Sequence, residues 1–217
     1  MRTFSTLGGR HGGNTLLKDQ EAVIKFQFDH ESVPACDPSD IAEMERWRRE
    51  LRTRQFLGQH PDRYEGLGYG NLSARLRDGT VLITGSQTGC LDALTTAHYV
   101  RILEFDPEQN RVRSRGLGKP SSETLTHMAV YQSVSGARYV FHTHCPKLWR
   151  AAKRLKLPIT DPDAKCGSPE IFYSVVELLR DQDLCSRGIL SMGGHEDGIL
   201  TWGETADDAG FALLRFL

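Results

Sequence analysis

Ser73-Ala74-Arg75-Leu76-Arg77-Asp78-Gly79-Thr80-Val81-Leu82-Ile83-Thr84 is the stretch that decides the fold. Ser73 to Arg77 and Thr80 to Thr84 are strand-like runs, and Asp78-Gly79 between them suits a two-residue hairpin turn because both residue types tolerate positive φ. An antiparallel sheet follows. Val100 to Phe105 and Arg111 to Arg115 make a second hairpin across Asp106-Pro107-Glu108-Gln109-Asn110. Arg138 to Cys145, Gly188 to Met192 and Ile199 to Trp202 read as further strands.

Around this sheet the apolar period changes to that of helices. Ile41, Met44, Trp47 and Leu51 recur at helical spacing, behind Asp37 and Ser39 as caps. Helices are also expected from Pro120 to Ser133, Lys147 to Leu155, Pro169 to Arg180 and Thr205 to Leu217. Gly58 to Gly70 is polar and Gly-rich, as a loop entering a strand should be. Residues 22 to 29 alternate, with Ile24, Phe26 and Phe28 against Lys25, Gln27 and Asp29, so they read as a strand with one buried face. Residues 1 to 14 show no apolar period and read as an arm. The expected organisation is an N-terminal arm, partly extended, over residues 1–35 and one α/β domain over residues 36–217.

The bulk properties exclude several classes. A chain of 217 residues, 39% hydrophobic and 25% charged, is of ordinary globular composition and single-domain size. The 27 Lys and Arg nearly balance the 28 Asp and Glu, so the net charge of -1 supplies no field for nucleic acid or an anionic membrane. Arg46, Arg48, Arg49, Arg52 and Arg54 are interleaved with Glu43, Glu45 and Glu50, the pattern of a solvated helix face. No apolar run approaches the roughly 20 residues of a membrane helix, and the first residues lack the apolar core of a secretory signal. The expectation is a cytoplasmic protein acting on a small polar molecule. Five widely spaced cysteines with no Cys-x-x-Cys pair read as reduced thiols.

The chemistry-bearing residues begin with Phe141-His142-Thr143-His144. Residues two apart on a strand share a face, so His142 and His144 are able to aim at one point, as metal ligands or as ordinary sheet histidines. Cys145 projects to the other face. His195, in Met192-Gly193-Gly194-His195, is the third candidate, because its flanking glycines permit a tight turn. Three imidazoles would leave a coordination position open for a substrate oxygen, unlike a closed four-ligand structural site. Pro120-Ser121-Ser122-Glu123 has two readings: a helix cap with a dipole-favoured acid, or an anion cradle built from free N–H groups and hydroxyls. Ile83-Thr84-Gly85-Ser86 and Asn71 offer similar donors, and they are also common turn residues. His127, four residues after Glu123, either lines the site or makes a structural hydrogen bond.

In order, Gly70-Asn71-Leu72-Ser73, Ile83-Thr84-Gly85-Ser86, Pro120-Ser121-Ser122-Glu123-x-x-x-His127, His142-Thr143-His144 and Gly194-His195 resemble the signature of the class II aldolase/adducin family, over residues 38 to 215. The resemblance implies a three-layer α/β/α fold with a central, mainly antiparallel sheet. It further implies a fourfold-symmetric homotetramer with active sites between subunits. By the same resemblance, His142, His144 and His195 would hold Zn²⁺, with Mn²⁺, Co²⁺ and Fe²⁺ as alternatives. Asn71, Thr84, Gly85, Ser121 and Ser122 would bind a substrate phosphate, and Glu123 would be the catalytic acid/base. The expected activity is retro-aldol cleavage of a small phosphorylated sugar, with the metal stabilising the enediolate. Epimerisation, dehydration and decarboxylation are alternatives on the same site, and a non-enzymatic adducin-like assembly module is the remaining one. The family's epimerases usually carry Asp at the position of Glu123. The tyrosines that the family's aldolases place after the His-x-His strand and in a C-terminal tail have no counterpart here.

Overall fold

The computed structural model describes residues 24–217; the arm read over residues 1–14 lies outside the described residues. In chain order the elements are β1 Gln27–Glu31, α1 Pro38–Thr53, β2 Gly58–Gln59, β3 Gly68–Tyr69, β4 Asn71–Arg75, β5 Val81–Thr84, β6 Tyr99–Asp106 and β7 Arg111–Gly116. Then come α2 Thr124–Ser133, β8 Tyr139–His144, α3 Pro146–Ala151, α4 Pro169–Leu178, α5 Gln182–Arg187, β9 Ile189–Ser191, β10 Gly198–Gly203 and α6 Ala206–Leu214. Among the described residues eight strands form one sheet in the order β1-β7-β6-β5-β4-β8-β10-β9, and β2 and β3 form a small separate ribbon.

The alternation of side chains along the strands divides the core into two layers. In β5, Val81 and Ile83 pack with Leu125 of α2 and Phe172 of α4, whereas Leu82 packs with Met44 and Leu51 of α1 and Leu213 of α6. In β10, Leu200 and Trp202 join the first cluster and Ile199 the second. Both faces of the sheet are therefore apolar and covered by helices, giving the three-layer α/β/α arrangement, with each buried Leu or Ile contributing about 1.5–3 kcal/mol. The ladders among β4 to β10 are antiparallel; the edge strand β1 pairs with β7 in parallel. No helix among the described residues is long and apolar enough to cross a membrane.

Several boundaries differ from expectation for identifiable reasons. The alternating segment before residue 30 enters the sheet at Gln27, where its partner Arg111 opens β7. Phe26 is buried, and Ile24 and Phe28 pack partly against the same cluster. The helix expected from Pro120 starts at Thr124, because Ser121 to Glu123 form a turn in which the Thr124 N–H and hydroxyl donate to the Ser121 carbonyl at 3.1 and 2.6 Å. On α1 the cap is Asp37, whose N–H donates to the side chain of Asp40 at 3.0 Å. Arg48 departs from the solvated face expected of its neighbours: it is buried and donates to the carbonyls of Thr88, Leu91 and Asp92. A buried guanidinium needs several acceptors, and the 88–92 loop supplies them. The short helix α5, capped by Asp181 and ended by Gly188 at φ +66°, was not expected from the sequence.

Candidate metal centre

Strand β8 lies inside the sheet, between β4 and β10. Its alternation puts Val140, His142 and His144 on one face and Phe141 and Cys145 on the other, where both join the second core cluster. His142 is opposite Asn71 of β4, and His144 is opposite Gly198 of β10. His195 arrives from the turn between β9 and β10. Its neighbour Gly194 is needed for close approach, since a Cβ there would lie 2.2 Å from the Ala164 carbonyl oxygen. The segment before α4 is thus pressed against the His195 turn. Gly70, at φ +76°, is required on both counts, because a Cβ would also meet Leu57 at 2.5 Å.

The three imidazoles form a nearly equilateral triangle, with ring centroids 5.0, 4.9 and 4.8 Å apart. One nitrogen from each lies within 4.8 Å of the others, and the Nε2 atoms of His144 and His195 are 2.8 Å apart. His142 and His144 are buried, while His195 stands at the rim with 18% of its side chain exposed. Burial lowers the pKa of His142 to about 4 against the opposing effect of Glu123, and burial with the neighbouring imidazoles and Arg63 lowers that of His144.

Glu123 is buried at the N-terminal end of α2, with Oε1 3.9 Å from Nδ1 of His195. Thr126 donates to its Oε2 at 2.5 Å and the Cys166 thiol donates to its Oε1. Burial alone would raise this carboxyl, but His195 and His142, with those two hydrogen bonds, more than offset it and hold it at about 2. The carboxylate is therefore ionised at neutral pH. Burial, together with the charge of Glu123, keeps the Cys166 thiol protonated, well above its ordinary value.

Beside Glu123 opens a small polar cavity lined by Gly68, Gly70, Asn71, Gly85, Ser86, Gln87, Thr88, Gly89, Ser121 and Ser122. Four of the five residues expected to bind an anion (Asn71, Gly85, Ser121 and Ser122) are brought together there. Thr84 stands apart: it is buried in β5 and its hydroxyl accepts the Leu72 N–H at 3.2 Å. The Gly85 N–H is also committed, to the His98 carbonyl at 2.7 Å, so Gly85 contributes room and not a donor. Two adjacencies relate the cavity lining to the histidine triangle, Asn71 opposite His142 in the sheet and Ser122 next to Glu123 in the chain.

Sequence reading missed four contributors. Gln87 and Thr88 line the cavity from a loop whose Gly-Ser-Gln-Thr-Gly composition was an available turn signal. Cys166 is 43 positions from the carboxylate it contacts. Tyr64 packs edge-on against His144, centroids 4.3 Å apart, and donates to Asp197 at 2.7 Å while Arg63 donates to its oxygen. Burial and the bond to Asp197 raise the Tyr64 hydroxyl above its usual pKa.

The buried histidines also predict acid lability. His127 and His142 have folded-state pKa values of about 3 and about 4, below the unfolded value near 6.5. The unfolded chain therefore takes up protons that the folded chain refuses. The corresponding stability is complete above pH 6.5 and is lost as pH falls toward 4, by about 1.4 kcal/mol per pH unit for each histidine. Urea midpoints of chelator-treated protein should fall steadily from pH 7 to pH 5; a flat profile would contradict the buried neutral histidines.

The family model described as class II aldolase and adducin N-terminal domain matches residues 60–216. The chain is 28% identical over 167 residues to methylthioribulose-1-phosphate dehydratase of Methylococcus capsulatus, covering 64% of this chain and 74% of the dehydratase. Its fold is similar to that of L-fuculose-1-phosphate aldolase from Thermus thermophilus, with TM-score 0.55, 22% identity, and 80% and 86% of the two chains covered. It is also similar to a sugar-phosphate aldolase from Thermotoga maritima, with TM-score 0.61, 15% identity, and 82% and 90% covered. The match spans β3 to α6, and so all the histidine, carboxylate and cavity residues described above: the chain belongs to the class II aldolase and adducin N-terminal domain family.

Proposed function

We propose that this chain is a metal-dependent lyase acting on a small phosphorylated sugar, by retro-aldol cleavage, with residues 36–217 as its functional domain. The observation that carries the reading is one ionised, buried carboxylate, Glu123, set between a triangle of three histidines and a polar cavity suited to an anion.

The donor set fits a divalent ion. The Nδ1 atoms of His142 and His144 are buried without a hydrogen-bond partner among the described residues, and their lowered pKa values keep the rings neutral, the form that ligates a metal. Three imidazoles without a thiolate accommodate Zn²⁺, Mn²⁺, Co²⁺ or Fe²⁺. When bound, such an ion supplies Lewis-acid polarisation of a substrate oxygen. His142, His144 and His195 hold it. Asn71, Ser121 and Ser122 bind the substrate's phosphate. Glu123 takes the proton from the substrate hydroxyl as the carbon–carbon bond breaks, and returns it to the carbon that the bond has left. Its hydrogen bonds from Thr126 and Cys166 hold it oriented and favour its ionised form before the first transfer and after the second.

A second reading, loss of water from the phosphorylated sugar, is favoured by the 28% identity to the dehydratase. Here Glu123 would take a proton from the carbon next to the carbonyl and pass it to the hydroxyl on the following carbon, which would leave as water while the double bond forms. Mass analysis of the products from a panel of ketose and aldose phosphates separates the two: two carbon fragments support cleavage, and one product lighter by a water supports dehydration. An unaltered mass with inverted configuration would displace both in favour of epimerisation. The homotetramer implied by the resemblance and the cytoplasmic location expected from the sequence belong to this proposal too, the tetramer being tested by light scattering.

A further inference from the structure

His127 sits on α2 with no solvent exposure and with both ring nitrogens engaged. Nε2 is 2.6 Å from Oδ1 of Asn71, and Nδ1 is 2.7 Å from Oγ of Ser73. The Ser73 oxygen in turn is 2.9 Å from the Tyr131 hydroxyl, one helical turn beyond His127. Four buried or half-buried groups therefore form one line that ends at the amide of Asn71, which lines the polar cavity. Burial holds His127 neutral, with a pKa of about 3, so its ring carries a single N–H and the line has a direction.

Two directions close the line. In one, Tyr131 donates to Ser73, Ser73 to Nδ1, and Nε2–H to Asn71 Oδ1, with every contact between 2.6 and 2.9 Å. In the other, the Asn71 amide is turned over and donates to Nε2, Nδ1–H donates to Ser73, and Ser73 donates to Tyr131. One hydroxyl proton is then left with a carbonyl near the limit of a hydrogen bond, that of Tyr131 on Arg138 at 3.4 Å or, where Tyr131 donates to Ser73 instead, that of Ser73 on Val140 at 3.5 Å. A buried hydroxyl donor left so poorly satisfied disfavours the second direction. We propose that Tyr131, Ser73 and His127 form a one-way hydrogen-bond relay that turns the NH₂ group of Asn71 toward the cavity. His127 is thereby the positioning residue that makes this subsite select an anionic oxygen over a cationic or neutral donor.

The inference deepens the phosphate-subsite reading above, and two measurements on the full-length, metal-loaded protein separate their failures. The first is the tautomer of His127 by ¹⁵N–¹H NMR, its signal identified by its loss in His127→Gln. A proton on Nε2 is expected, and a proton on Nδ1 would overturn the relay whatever the ligand. The second is calorimetric binding of inorganic phosphate. His127→Leu, which removes the donor to Asn71, should weaken phosphate binding about tenfold or more, at unchanged metal content. His127→Gln offers an amide donor in the same place and should recover most of the loss, which a merely space-filling role would not produce. Equal phosphate affinity in wild type and His127→Leu would overturn the relay alone. Failure of the wild type to bind phosphate, with the Nε2 proton present, would overturn the anion subsite itself.

Discussion

Replacing Glu123 by Gln is expected to lower turnover of a confirmed substrate by about 10²- to 10⁴-fold, the range attributed to a positioned acid/base, while bound metal stays at the wild-type level. Gln keeps the volume of the side chain and one carbonyl acceptor, so the Thr126 or Cys166 donor retains a partner and the N-terminal turn of α2 is preserved. What disappears is the capacity to hold and release a proton 3.9 Å from His195. The loss should fall on kcat more than on KM, because the proposed phosphate contacts are made by other residues. Elemental analysis alongside steady-state kinetics checks both halves. Wild-type turnover in the variant would remove Glu123 from the mechanism, and parallel loss of the metal would make it a ligand instead of a proton carrier.

His144→Ala should remove the metal. The residue is 4% exposed and occupies the end of β8, where its backbone N–H is tied to the Phe56 carbonyl at 2.7 Å and its ring to Tyr64 and His195. Loss of one of three ligands should weaken affinity beyond the 10- to 100-fold typical of altering a residue that only supports a ligand. Protein purified without chelators should therefore fall from about one equivalent of metal per chain to a small fraction, and activity with it. The backbone of β8 is held by β4 and β10 on its two sides, so the variant should keep its far-UV circular dichroism. Retention of a full equivalent would mean that the ion is held elsewhere, the cluster of Glu123, Cys166 and His195 being the next set of donors.

Much of this architecture was readable from local patterns. The hairpin at Asp78-Gly79 and the two-residue period of the Tyr139–His144 strand are properties of neighbouring residues and appear where they were expected, although the turn is a three-residue loop, Arg77 to Gly79, closed by Leu76 and Thr80, with Gly79 and not Asp78 at positive φ. The same period correctly sent Cys145 away from His142 and His144, because side-chain direction along a strand depends on parity alone. Helix starts were less legible. Pro120 looked like an opening residue, yet the Ser121–Glu123 turn delays the helix to Thr124 through hydrogen bonds that compete with helical ones. Arg48 shares its charge pattern with solvated neighbours, and nothing local distinguishes the one arginine that meets three carbonyls of a loop 40 residues away.

At the site, residue types determined which groups could act, and long-range packing determined which of them meet. His-x-His on a strand, an acid opening a helix and a histidine after paired glycines are identities and spacings, so the sequence by itself decided the candidate ligands, the candidate acid/base and the α/β class. The triangle of near-5 Å sides, the Cys166 thiol on Glu123, the Tyr64 ring on His144 and the withdrawal of Thr84 into the hairpin were decided by the tertiary structure alone. Most of these contacts join segments tens of residues apart, and their geometry comes from how β4, β8, β10 and α2 pack together, which no local periodicity encodes.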